Sequence, residues 1–420
     1  METSPVIPDE QDGTVPPITL DTVQTVIQKH FPQLWPAVEA GLATCATLLL
    51  ADNVNPVALI YVGPAGSGKT TVLNMFEGAK VTGAELMYRS DKFTPAAFVS
   101  HSAKASAKDL EKIDLLPRIK HKVLLTPELS TIFRGKQDEL VDRFSIITRV
   151  LDGQGLKTDS GTQGQRGYEG DYLFAWLGAT TPLSDSVWKV MAQLGSRLVF
   201  LVLDAREETT LKDLVDANKG DVPYCEGVIE CQKVVHQFVE QLFVQHGGVR
   251  GMKWTSAENR EQVLESIARC AVLVATMRTP FDPNMPAQPE SPKRVNSVLY
   301  NLARGHALIH GRTFLTEDDL PMIAQITLSS IPDRRRAILL AFVEREGRPL
   351  TVAQIAQATR VSRHTAETYM AELEWLGVAT FEKDGNGQAS HLCLNPDWEW
   401  CVRPEFAPLL LARPLIGAEA

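Results

Sequence analysis

The eight residues Gly63-Pro64-Ala65-Gly66-Ser67-Gly68-Lys69-Thr70 constrain this chain more than any other feature. They fit the phosphate-loop pattern Gly-x-x-x-x-Gly-Lys-Ser/Thr at every specified position. Val57–Val62 follows Pro56 and reads as a short buried strand, and Thr71–Phe76 can open a helix. Glycines let backbone amides close around phosphate oxygens, and a helix N-terminus adds positive partial charge. The run predicts that ATP, or a close purine-nucleotide relative, is held by Gly63, Pro64, Ala65, Gly66, Ser67, Gly68, Lys69, Thr70 and Thr71. Lys69 is expected at the β and γ phosphates, and the Thr70 hydroxyl on Mg²⁺.

Three more apolar runs read as strands: Val123–Leu125, Leu173–Gly178 and Leu198–Leu203. Helical patterns separate them, which predicts an α/β layered fold with a parallel sheet. A phosphate loop needs an acidic partner on a nearby strand. The best candidate is Glu128, in Lys122-Val-Leu-Leu-Thr-Pro-Glu-Leu129, where Pro127 leaves a single carboxylate. Glu128 either polarises the attacking water or serves the metal, with the catalytic-base role preferred. Asp171–Pro182 reads as a strand ending in hydroxyls, so Thr180 or Thr181 could reach the γ-phosphate or the water; a plain Thr-Thr-Pro turn is the other reading.

The order of these parts resembles the core of AAA+ ATPases. In that family an arginine before an apolar strand completes the neighbouring subunit's site, and Arg197, in Leu194–Phe200, matches that place. Further on, residues 294–320 look like the helical lid of minichromosome-maintenance-type motors, with Arg294 where that family has its sensor-2 arginine and Arg304 one helical face further along. Thr316–Asp319 is also a fair capping box. The resemblance covers roughly residues 35–330 and implies an ATP hydrolase working as a homo-oligomer, a ring or open ring.

Beyond residue 205, Glu207–Gly247 and Glu258–Met277 read as helices. Prolines at 280, 283, 286, 289 and 292 suggest a stiff extended connector. A third unit begins near Pro332: helices at Arg334–Glu346, Thr351–Ala358 and Ser362–Leu376, then two strands around Asp384–Gly387. Its parts resemble a winged-helix domain. Arg360, Arg363 and His364 cluster at the start of the third helix, where such domains meet DNA. Glu367, Glu372 and Glu374 on its remaining face would repel phosphate, so a docking module is the other reading. Gly153–Gly170 holds six glycines with Lys157 and Arg166; it reads as a flexible loop, although related motors place a nucleic-acid-touching hairpin there.

Net charge is −9, so any DNA contact must come from a local basic patch. The six cysteines form no Cys-x-x-Cys pair and read as buried thiols. No signal peptide or membrane-length apolar run is evident, which predicts a cytoplasmic protein. The expected organisation is a disordered acidic tail (1–17), a P-loop core (18–205), a helical lid (206–331) with its connector (279–292), a winged helix (332–403) and a tail (404–420). The leading expectation is a helicase-like or loader-like motor on DNA. The alternatives are a nucleotide-controlled switch or chaperone acting on a protein partner, or a winged-helix regulator with an ATPase sensor.

Overall fold

The computed structural model describes residues 17–100, 107–160, 164–195, 197–203, 215, 223–382, 390–404 and 406–411. The acidic N-terminal run, Ser196, residues 207–214 and 216–222 of the expected helix, the turn at 384–387 and most of the expected C-terminal tail lie outside these residues.

The chain is α/β. Its centre is a five-stranded parallel sheet of β1 (Val57–Val62), β4 (Met87–Arg89), β5 (Val123–Thr126), β8 (Ala175–Thr180) and β9 (Leu198–Val202), in the order β4-β5-β8-β1-β9. Every residue of β1 is buried, as its unbroken apolar run requires of a strand covered on both faces. The period-2 alternation divides its side chains. Val57, Leu59 and Tyr61 enter one core, and Ala58, Ile60 and Val62 enter the other.

The first core is built with α1 (Leu20–His30), α2 (Trp35–Ala46), α3 (Lys69–Phe76) and later helices of the chain. The second is built with α5 (Leu115–Ile119), α6 (Gln137–Val150) and α7 (Asp185–Leu194); the short α4 (Ala107–Ile113) precedes them. A two-residue ribbon, β2 (Lys80–Val81) with β3 (Ala84–Glu85), leads into β4. Gly153–Gly170 is not an unpaired loop: β6 (Gly155–Ser160) and β7 (Gly164–Glu169) form an antiparallel hairpin.

After the sheet come α8 (Tyr224–Gln245), α9 (Glu261–Arg278), α10 (Lys293–Ile309) and α11 (Leu320–Ser329). These helices do not stand apart from the sheet. Helix α10 lies along α2, and Gly305 permits it: a Cβ there would sit 2.1 Å from the Ala43 carbonyl oxygen. The end of α11 closes the sheet's edge. Ser330 Oγ accepts from Phe200 N (2.9 Å) and Ser329 Oγ from Val202 N (3.0 Å), so two amides of edge strand β9 are satisfied by side chains. The proline-rich connector is not one extended rod, because Met285 N turns back to Asp282 O at 3.2 Å.

The C-terminal unit packs α12 (Asp333–Glu344), α13 (Val352–Thr359) and α14 (Arg363–Trp375) with a three-stranded antiparallel sheet. Its strands are β10 (Leu350–Thr351), β11 (Ala379–Glu382) and β12 (His391–Leu394), in the order β10-β12-β11. Thr351 caps α13 in a reciprocal box with Gln354. All six cysteines are free thiols. Among the described residues, no helix is long and apolar enough to cross a membrane.

Candidate functional site

The glycine-rich loop leaves the carboxyl end of β1, the usual ligand-binding side of an open α/β sheet. Gly63 N still donates to Thr180 O (3.2 Å), so the loop departs from a fixed point. Gly66 and Gly68 take φ of 83° and 82°, the left-handed region that glycine enters without strain. Among the described residues, a Cβ on Gly66 would meet nothing within 4 Å, so none of them closes the loop on that side. Gly68 is the N-cap of α3 and offers no side chain, and the first turn carries no acid. The positive end of the helix dipole is therefore unanswered by a side chain at this point. Lys69 folds back over the loop, its Nζ donating to Gly63 O (2.8 Å), Pro64 O (2.6 Å) and Ser67 Oγ (3.2 Å). Partial burial lowers its pKa, against the pull of the Glu128 charge, so the two side chains share one electrostatic neighbourhood.

These residues fit a Mg²⁺-nucleotide: open glycine backbone, an uncapped helix start, a lysine held by weak carbonyl partners and an exposed Thr70. A further fit comes from Thr180, 1% exposed, whose Oγ1 has no hydrogen-bond partner among the described residues although it ends the strand beside the loop. Thr181, the expected catalytic hydroxyl, lies 3.5 Å from Arg134 Nη2. Thr71 differs from expectation. It is buried, and its hydroxyl is engaged by Tyr224 OH at 2.7 Å.

Glu128 follows β5, one strand removed from the loop because β8 intervenes. It is exposed, and Oε1 accepts from Ser130 N at 2.7 Å. The bond Leu129 N to Ala179 O (2.8 Å) ties its backbone to β8. Glu128 is thus an exposed carboxylate on an anchored backbone.

The two arginines named by the family resemblance lie away from the loop of their own chain. Arg294 does not join the glycine loop of its own chain. Its Nη1 lies 3.3 Å from where a Gly195 Cβ would be, beside Arg197 at the amino end of β9. The register Ala58↔Leu198 to Val62↔Val202 puts that end a full strand length from the loop. The cause is the placement of α10, whose first turn meets the end of α7. Arg197, in turn, is not presented outward. It is 6% exposed, with Nε on Asp152 Oδ1 (2.7 Å) and Nη1 on Gly195 O (2.9 Å). Arg304 is likewise spent within the chain, on both oxygens of Asp52 at 2.8 Å.

The third-unit residues Arg360, Arg363 and His364 are all exposed at the junction of α13 and α14. Arg363 and His364 lie at the start of α14, and Arg360 closes α13 in a left-handed cap with φ of 57°. Glu372 is not on the exposed face. It is 3% exposed and paired with Arg335, Nε to Oε1 at 2.9 Å. Helical spacing alone could not show that partner. The same helix docks on the connector, with Trp375 Nε1 donating to Met285 O (2.7 Å) and its ring edge-on to Phe281. Arg334 bonds Asp185 of α7 at 2.8 Å.

Sequence reasoning missed two neighbours of the loop. Arg134 reaches the Thr181 edge from the segment after Glu128, and its only signal was a cation in that segment. Helix α8 holds α3 at both ends: Tyr224 bonds Thr71, and Gln232 Nε2 donates to Asn74 O (3.2 Å) and Glu77 O (2.9 Å). No local pattern announces that grip. No protein-family model matches this chain, and no curated protein matches it.

Proposed function

We propose that this chain is an ATP-binding AAA+ ATPase with a helical lid and a C-terminal winged helix, assembling as a homo-oligomer and acting on DNA as a helicase-like or loader-like motor. The observation that carries the reading is the glycine loop at the carboxyl end of the central strand, with Lys69 beside it and a Thr180 hydroxyl that no described residue engages. The loop amides, Lys69 and Thr70 would hold Mg²⁺-ATP; the ion supplies charge neutralisation at the phosphate oxygens. Glu128, on its anchored backbone, accepts a proton from water, and Thr180 or Thr181 orients that water.

Arg197 and Arg294 lie at the other end of the sheet, so within this reading they serve a nucleotide held by a neighbouring copy. Arg197 must first exchange Asp152 for phosphate. That makes assembly a condition of turnover.

A second reading, a nucleotide-controlled switch or chaperone for a protein partner, is favoured by one observation. Helix α14 spends Glu372 and Trp375 on contacts within the chain, as a docking module would. ATPase rates with and without single- and double-stranded DNA separate the two. The motor reading expects stimulation at low salt, while equal rates with all DNA forms favour the switch. No ATP binding at all would remove both.

A further inference from the structure

Far from Lys69 in sequence, α2 and α10 bring together Glu39, His306 and His310. His306 and His310 are four residues apart, so they share one helix face, with ring centroids 4.4 Å apart. Glu39 faces them from α2. Its Oε1 lies 3.3 Å from His310 Nε2 and 3.6 Å from His306 Nε2. We propose that these three side chains form a divalent-metal site, suited to zinc, that fastens α10 to α2.

The spacing is that of a ligand set. Zinc bonds of about 2.0–2.1 Å at tetrahedral angles place neighbouring donor atoms about 3.3–3.4 Å apart. The separations of 3.3 and 3.6 Å lie near that span, and all three donor atoms lie within 4.8 Å of one another. Two imidazoles with one carboxylate suit zinc, whereas magnesium and calcium take oxygen ligands.

An outer support is already built. His306 is 4% exposed, and its Nδ1 lies 2.7 Å from Asp319 Oδ1. With Nδ1–H donating to that carboxylate, Nε2 keeps its lone pair for a metal. Asp319 is fully buried and fixed by Arg312, at 2.8 and 2.7 Å, and by Thr316 N at 2.9 Å. The capping box at Thr316 thus does more than start a helical turn, because it also holds the carboxylate that orients a ligand. On the open side, the His310 side chain is 36% exposed and that of Glu39 21%, so an ion can enter and a water can fill the fourth position.

The site would have mechanical reach. Helix α2 is tied to β1 by Tyr61 OH donating to Ala37 O at 2.8 Å, and β1 feeds the glycine loop. The inference does not depend on the nucleotide reading.

The test uses the untagged full chain, stripped with chelator and held without nucleotide. Cobalt(II) is titrated as the spectroscopic probe, then displaced by zinc. One ion per chain should give the intense visible bands of a tetrahedral nitrogen–oxygen site. Zinc should also raise the melting temperature in a concentration-dependent way. His310→Ala, at a half-exposed helix end, should fold as judged by circular dichroism and lose about 100-fold or more in affinity, and Glu39→Gln should lose at least about tenfold. Wild-type protein with no cobalt band and no zinc-dependent shift would overturn the proposal and leave a plain histidine–carboxylate network. Unchanged binding in folded His310→Ala would overturn it equally.

Discussion

At the carboxyl edge of the central sheet, Lys69 rests on carbonyls, and the buried Thr180 hydroxyl has no partner among the described residues. At the amino edge, arginines already hold carboxylates: Arg197 with Asp152, Arg304 with Asp52 and Arg250 with Asp171. Around the glycine loop, among the described residues, Lys69 is held by neutral oxygens and by no carboxylate. The amino edge has committed its charge to holding the fold. Removing a side chain from the first should therefore cost function alone, and from the second, function and stability together.

Lys69→Ala is expected to have the largest effect on binding. ATP affinity should fall by at least about 100-fold, the scale of two charge-assisted hydrogen bonds, with the melting temperature unchanged. Titration with a labelled ATP analogue and a thermal melt check both halves. Unaltered affinity breaks the functional side of the comparison.

Arg197→Ala should keep ATP binding but lose about 1000-fold in turnover if it serves a neighbouring copy. It should also melt lower than wild type, because Asp152 loses its nearer cation and keeps only Arg149, at 3.5 Å. Mixing it with Lys69→Ala protein should restore partial activity where subunits exchange. Full turnover in Arg197→Ala, or in a demonstrated monomer, removes the trans role and leaves a structural pair.

Glu128→Gln should lower turnover by about 100-fold while Mg²⁺-ATP still binds, with stability untouched because the side chain is exposed. A parallel loss of Mg²⁺-dependent binding would assign it to the metal instead. Wild-type turnover would exclude both roles.

The smallest effect is expected at Arg363, at the start of α14. Arg363→Ala should weaken DNA binding only a few-fold and reduce its salt slope by about one. Glu372→Ala extends the contrast between exposed and committed charge. It leaves Arg335 buried without its carboxylate and should cost about 3 kcal/mol of stability, read by denaturant unfolding. A salt slope identical to wild type in Arg363→Ala would take that residue out of any phosphate contact.

What the sequence disclosed follows from distance along the chain. The Val57–Val62 strand, the glycine loop and the Thr351 cap are local, and each is legible because its partners lie within a few residues. The parallel strands are legible as apolar runs, except β4. Met87–Arg89 is three residues long and carries no alternation, so its place at the sheet edge depends on pairing with Val123–Leu125. The amino-edge pairs are not legible, since Asp152 and Arg197 are 45 residues apart. Glu372 escapes a sequence reading for the same reason, because a helical wheel cannot show Arg335 on another helix. Arg294 was placed by family order, and order carries no information about which end of the sheet a helix start will meet.

The grip of α8 on α3 has a consequence for motion. Tyr224 holds the first turn of the loop's helix and Gln232 its last carbonyls. Helix α3 is eight residues long, too short to persist alone in water. Its fraying is therefore tied to that of a 22-residue helix, and the two should open as one cooperative unit. In hydrogen–deuterium exchange, amides of Lys69–Phe76 and of the Tyr224–Gln232 stretch should share one protection level. A ligand that slows exchange in the first should slow it in the second by the same factor.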